Sequence, residues 1–445
     1  MQLKRRQFLN LFGLGTSALG IRSVLSGLPI DFLVQPQRAL AAFEDKKKLD
    51  AASDAQFLLI SSSETGDPVN CNVPGTYEDP TIYHPASPMF AATKFMLGDV
   101  TVTAAKTWTQ LDVSTLSRTC FFHHATYSGI HTELPLVLKL GGFSSNRDSI
   151  VSAICDKTAS GLSTIQTSPI SFTQPALSYS GQPVSPIPPT SLAQVYNLYA
   201  MGPAQLLALR DSTLDQMHAW MKANGTPSQQ NYIDQYARSQ TDARQIPDQV
   251  HTVLSAISDN TVQKQVKAAI ALFQMRITPA VLITVPFGGD NHIDPELAGE
   301  IGDYDGNNPA TQGVGKTGVA ALADMQQQLQ SAGLTDQVTF CLLNLFGRTM
   351  GPNWTDGRGH NADHHTALLI GKHVRGSVIG GLDGTNTASA IDSGSGTASG
   401  GGDIPYSETF SAFGKTLVRA CGVPQADADA MVTGGKTVPA ALATP

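Results

Sequence analysis

Short apolar runs that end in small or polar residues recur along this chain. The stretch 55–62 (AQFLLISS) is the first, and it predicts a buried strand feeding a loop. Residues 118–131 (RTCFFHHATYSGIH) repeat the scheme, with a strand near Thr119–Phe122; 279–292 (PAVLITVPFGGDNH) do so with Val281–Val285. Stretch 337–349 is a fourth case, and 366–371 (TALLIG) and 376–381 (GSVIGG) read as further strands. Between them, residues 190–223, 246–275, 310–333 and 405–422 space their apolar positions as helices do. Strands alternating with helices predict an α/β fold: a mostly parallel central sheet with helices on both faces.

Two regions break the pattern. Residues 160–190 are rich in Ser, Thr, Pro and Gln and read as an irregular surface excursion. Residues 384–403 are so rich in Gly and Ser that they read as a flexible insertion. No internal repeat is visible, so a single domain from 42 to 445 is expected.

The polar residues change this picture from a scaffold to a candidate site. In open parallel sheets, ligands bind outside the carboxyl ends of the strands. Asp67, His123 and His124, Asp290 and His292, and the 348–365 segment all follow strand candidates in that direction. Strands far apart in sequence can thus bring Asp and His side chains to one rim.

The first residues stand apart. Lys4-Arg5-Arg6-Gln7-Phe8-Leu9, a weakly apolar stretch broken by Arg22, and Ala39-Leu40-Ala41 match the ordered regions of a twin-arginine export signal cleaved after Ala41. A periplasmic or secreted location follows as the expectation, with no stable membrane span after cleavage. Residues 1–41 carry five basic residues and one acidic one, so the formal charge of −7 becomes −11 without them. Such an acidic body argues against a nucleic-acid partner, which needs clustered Lys and Arg. The five cysteines show no CxxC spacing, so zinc-knuckle and thioredoxin readings lack support; Cys120 and Cys341 sit in apolar runs and are expected to be buried.

The sharpest local signal is Gly288-Gly289-Asp290-Asn291-His292, where glycines let the chain turn and aim two side chains at one centre. Oxygen and imidazole donors suit zinc, manganese or iron. The spacing equally suits a hydrogen-bonded turn. The densest cluster is His360, Asp363, His364 and His365, for which a solvated loop is the competing reading. His123, His124 and His131 can be satisfied rim groups as well as ligands. Around Asp67, the sequence Ser61–Asn70 also fits an Asx turn nucleated by Asp67-Pro68. No GxSxG elbow, Walker loop or dinucleotide fingerprint occurs in a suitable context.

Taken in order, the twin-arginine signal, GDPVNCNVP, HHATYSGIHTE, FGGDNH, LFGRT and GRGH…ALLIGKHVRGSVIGG resemble the exported domain-of-unknown-function 1501 family. That family lies within the alkaline phosphatase/sulfatase-like superfamily, and the resemblance spans roughly residues 55 to 440. It implies an alkaline-phosphatase-like fold. Asp67, Asn70 and Pro74 match its GGxDGLNxxxP loop; His131 matches its SHF loop, with Ile130 in place of Ser and with Ser128 or Thr126 as substitute nucleophiles. Gly288, Asp290 and His292 match GGWDTH. Phe346, Gly347, Arg348 and Thr349 match TEFGRT, where Leu345 replaces the acid. Gly357, Arg358 and His360 match GRDH, where Gly359 replaces the aspartate.

The resemblance implies a divalent metal held by Asp67, Asp290, His292 and His360, with His131, His364 and His365 as further ligand candidates. Arg348 would bind an anion or brace its loop. The activity implied is metal-dependent hydrolysis of a small anionic or polymeric phosphate or sulfate ester. The two missing carboxylates, for which Asp363, Glu64 or Glu133 are the candidate replacements, support the alternative of a non-catalytic binding or accessory protein on the same scaffold.

Overall fold

The computed structural model describes residues 54–443, apart from 193–203, 238–255, 298–314 and 352–356 and shorter breaks at 68, 78, 145–147, 165, 175, 227–229, 231, 232, 235, 236, 291, 295 and 385. The expected export signal at 1–41 lies outside the described residues.

Seven strands form the central sheet: β1 (Phe57–Ser61), β2 (Thr119–His124), β3 (Ile170–Ser171), β4 (Ala280–Ile283), β5 (Val338–Leu342), β6 (His365–Ile370) and β7 (Ser377–Ile379). Their order across the sheet is β7-β2-β6-β5-β1-β4-β3. β1 runs parallel to β4 and β5, β3 parallel to β4, and β7 parallel to β2. β6 alone runs against its neighbours, pairing antiparallel with β2 and β5. The fold is therefore α/β with a mixed, mostly parallel sheet.

The five larger helices are α1 (Ile150–Leu162), α2 (Ala204–Asn224), α3 (Val262–Gln274), α4 (Gly318–Ser331) and α5 (Thr409–Ala420). Alternation along the strands sorts the core into two layers. Phe57 and Leu59 of β1 face Val266, Leu272 and Phe273 of α3 and Leu322 and Met325 of α4. Leu58 and Ile60 face the other way, into the layer holding Ile150 and Ile154 of α1 and Phe413 and Leu417 of α5. Each such side chain, fully removed from water, contributes about 1.5–3 kcal/mol. Strands clothed on both faces need no polar alternation, which is why they read as continuous apolar runs. Ser149 caps α1 by accepting from the Ser152 amide at 3.3 Å.

The reversed direction of β6 places the site. Among the described residues between β5 and β6 there is no helix to form a crossover. The chain turns back at the same sheet edge through an antiparallel ribbon of Gly347–Arg348 with His360–Asn361. The start of β6 thus lies beside the ends of the other strands, with His365 opposite His124. His360 and His364 precede this strand and His365 opens it, whereas Asp67 and Asp290 follow theirs.

Two expectations need correction. The 160–190 excursion supplies the edge strand β3 and buries Phe172, Leu177 and Val184, so it is part of the core as well as surface. Residues 384–403 are anchored, because Ile391 is fully buried and pairs with both Ala398 and Ile404. Gly402 lies so close to it that a Cβ there would sit 2.5 Å from the Ile391 backbone. High glycine content here serves close approach. All five cysteines are buried. Among the described residues, no helix is long and apolar enough to cross a membrane.

Candidate metal centre

The rim gathers the predicted residues into two groups. The outer group is His131, Asp290 and His360, whose ligand atoms all lie within 4.8 Å of one another. His292 joins it: its Nε2 is 3.0 Å from His360 Nε2 and 3.2 Å from Asp290 Oδ1. Three separate segments converge here, namely the loop after β2, the loop after β4 and the ribbon before β6.

Backbone carbonyls orient the imidazoles. His131 Nδ1 donates to the Glu64 carbonyl at 2.7 Å, and His360 Nδ1 donates to the Gly129 carbonyl at 2.6 Å. A carbonyl can only accept, so each Nδ1 carries the proton and each Nε2 presents its lone pair to the cluster. Such outer partners fix ligating histidines in metal sites generally. Burial, the largest effect, lowers the His360 pKa from its ordinary value and so favours the neutral ring that a metal requires. The set of imidazoles and one carboxylate fits a zinc-class cation. Asp290 and His131 are 50 % and 39 % exposed at the side chain, so the centre opens to solvent.

Phe346 forms the floor, stacking on His360 at 4.1 Å between ring centroids and meeting His131 edge-on at 5.3 Å. Its ring fills the space above Gly66, where a Cβ would lie 2.2 Å from it. Gly66 also has φ +68°, so both conformation and space demand glycine there.

Arg348 is fully buried. Its guanidinium donates to the carbonyls of Thr65 at 2.5 Å, Gly289 at 3.1 Å and Arg358 at 3.5 Å, and lies 3.1 Å from Asp290 Oδ1. It therefore ties the three rim loops together and fixes Asp290. Asn70 holds the Arg348 backbone in turn, accepting from its amide at 3.0 Å and donating to its carbonyl at 2.9 Å.

The inner group contains Asp67, His364 and His365, which the sequence had assigned to the same metal as Asp290. Asp67 pairs instead with the Asn344 side-chain amide and, at 2.9 Å, with the Val69 amide. His365 Nε2 is 4.0 Å from Asp67 Oδ2. His364 donates or accepts at 2.9 Å with His123, whose other nitrogen donates to the Pro74 carbonyl at 2.9 Å. That carbonyl fixes the proton on His123 Nε2, so His364 Nε2–H is the donor of the pair. Burial holds His123 down to about 4 and keeps His124 and His364 well below their ordinary range.

Thr126 and Ser128 are buried on the loop that carries His131. Ser128 donates to Glu133 Oε2 at 2.6 Å, and Thr126 donates to the Ser128 carbonyl at 3.4 Å. Glu133 is thereby engaged with Ser128, Glu64 meets the outer centre through its carbonyl, and Asp363 accepts from Tyr406 at 2.7 Å. None of the three carboxylates belongs to the three-member outer group.

Sequence reasoning missed Asn344, which has no motif to mark it, and gave His124 little weight. The apolar run Cys120–Phe122 directly before the His123-His124 pair was the signal that both rings could be buried. Comparison with protein-family models, curated proteins and solved structures gives no match.

Proposed function

We propose that this chain is an exported metal-dependent hydrolase of phosphate or sulfate esters, with its cation at the outer rim centre. One observation carries this reading: His131, Asp290 and His360 converge within 4.8 Å, with both Nε2 atoms freed toward the centre by carbonyl contacts at Nδ1. His131, Asp290 and His360 would hold the ion, with His292 beside them. A divalent ion held there would supply Lewis-acid stabilisation of the negative charge on an ester oxygen. Arg348 keeps Asp290 in place and draws the loops at Thr65 and Gly289 together. Phe346 sets the tilt of the His360 ring. Ser128, paired with Glu133, is the hydroxyl whose proton has a carboxylate to go to.

The resemblance to the alkaline phosphatase/sulfatase-like superfamily is part of this proposal, and so is the finer fold assignment. A non-catalytic binding protein is the second reading, favoured by Leu345 and Gly359 at positions where the resembling motifs are acidic. The test is metal analysis of the purified protein, followed by hydrolysis of aryl phosphates and aryl sulfates by wild type, Asp290→Ala and Ser128→Ala. Metal-dependent turnover lost in Asp290→Ala supports the hydrolase. Retained metal without turnover on either ester class supports the binding protein.

A further inference from the structure

Two isoleucines flank the outer centre and face solvent. Ile130 is 58 % exposed and immediately precedes His131; Ile293 is 87 % exposed and immediately follows His292. A single exposed apolar side chain is ordinary in a folded protein. These two adjoin histidines that both meet His360, at 4.6 and 4.8 Å between ring centroids. Consecutive Cα atoms are about 3.8 Å apart, so each isoleucine stands one residue from a ring of the centre. Neither exposure comes from a loose backbone. Gly129, before Ile130, gives its carbonyl to His360 at 2.6 Å, and the Ile130 carbonyl accepts from the Glu133 amide at 2.9 Å. Asp290, before Ile293, lies 3.1 Å from the Arg348 guanidinium, and Leu297 beyond it is fully buried.

Charge points the same way. The rim segments 61–67, 125–133 and 286–315 contain nine acidic residues and no Lys or Arg. The ribbon segment adds Arg348 and Arg358, but both guanidiniums are fully buried and donate to backbone carbonyls. These segments therefore offer a ligand no exposed cationic side chain. A polyanion would meet carboxylates with nothing to pair with, and like-charge contact is costly. The charge of a held ion offsets one phosphoryl or sulfuryl group, and the rest of the ligand is left to meet isoleucine.

We propose that the substrate of the outer centre is a monoester with an apolar, uncharged leaving group, seated against Ile130 and Ile293. This rests on the hydrolase reading above and narrows it: polysulfated chains and nucleoside polyphosphates are excluded by the acidic rim. Isoleucine offers contact area and no hydrogen-bond donor, so the two side chains select by hydrophobicity and size. They are specificity-determining residues and take no part in the bond that breaks.

The experiment separates binding from turnover. Calorimetry on the zinc-loaded full chain uses unhydrolysable probes for both ester classes: methyl and naphthyl phosphonates, and methyl and naphthyl sulfonates. Within one class the naphthyl probe is expected to bind about tenfold more tightly than the methyl probe. A naphthyl phosphonate bearing two further sulfonate groups is expected to bind more weakly than the plain one. The Ile130→Asn/Ile293→Asn protein is expected to keep the zinc content of wild type and to lose the naphthyl preference. Should the double variant fail to fold, Ile293→Asn alone serves, because a side chain 87 % exposed has little packing to lose. Equal affinity for methyl and naphthyl probes in both classes, tighter binding of the polysulfonated probe, or no binding of any probe overturns the proposal. A naphthyl preference without turnover of naphthyl phosphate or naphthyl sulfate supports the apolar seat and overturns only the hydrolase reading.

Discussion

The outer and inner groups draw on the same residue types at the same sheet edge, yet solvent treats them in opposite ways. The outer centre keeps Asp290 half exposed and holds its histidines by backbone carbonyls from the adjoining loops. The inner group is sealed, and its histidines are held by one another, by asparagines and by aromatic rings. Burial makes the difference: side chains open to water can be reached by an ion or a small molecule, whereas sealed ones act on the fold. Arg348 and Phe346 link the two.

The sharpest way to break this division is at Arg348. Arg348→Met leaves the Thr65, Gly289 and Arg358 carbonyls without their donor, and a loss of about 3 kcal/mol in unfolding free energy is expected by denaturant titration. An effect below 1 kcal/mol would mean that the loops are held by other contacts. Asp290→Ala should act on the outer centre alone, weakening zinc there on the order of 100-fold by competition with a chromophoric chelator. Unchanged zinc binding in Asp290→Ala would remove the carboxylate from the outer centre.

Phe346→Leu removes the ring under His360 and His131 while keeping apolar volume. About tenfold weaker outer binding is expected, as for other residues that orient ligands, measured by the same titration. The smallest effect concerns pH. His84 stacks on Tyr77 at 3.8 Å, and burial, aided by Arg358, lowers its pKa to about 4. The unfolded chain binds this proton near 6.5 and the folded chain only near 4. The stabilisation is therefore complete above 6.5 and is lost as pH falls toward 4. A Tm measured from pH 7 to 5 should drop less in His84→Gln than in wild type. An unchanged slope would move the acid sensitivity to the inner histidines.

The sequence by itself determined the α/β class, the continuous apolar strands, and the placement of Asp290, His292 and His360 at one edge. These follow from local periodicity and from the rule that loops after strands share a rim. It also marked His131 through the motif order. Local pattern could not separate Asp67, His364 and His365 from the outer centre, because all of them stand at strand ends. That separation depends on β6 running antiparallel, which sets His365 opposite His124 and places both beneath α5. Nor could composition show that Ile391 anchors the glycine-rich segment, since burial of one side chain is decided by what surrounds it. Periodicity reports which face of an element is apolar; only tertiary packing decides which polar atoms lose water, and that loss distinguishes the sealed group from the open one.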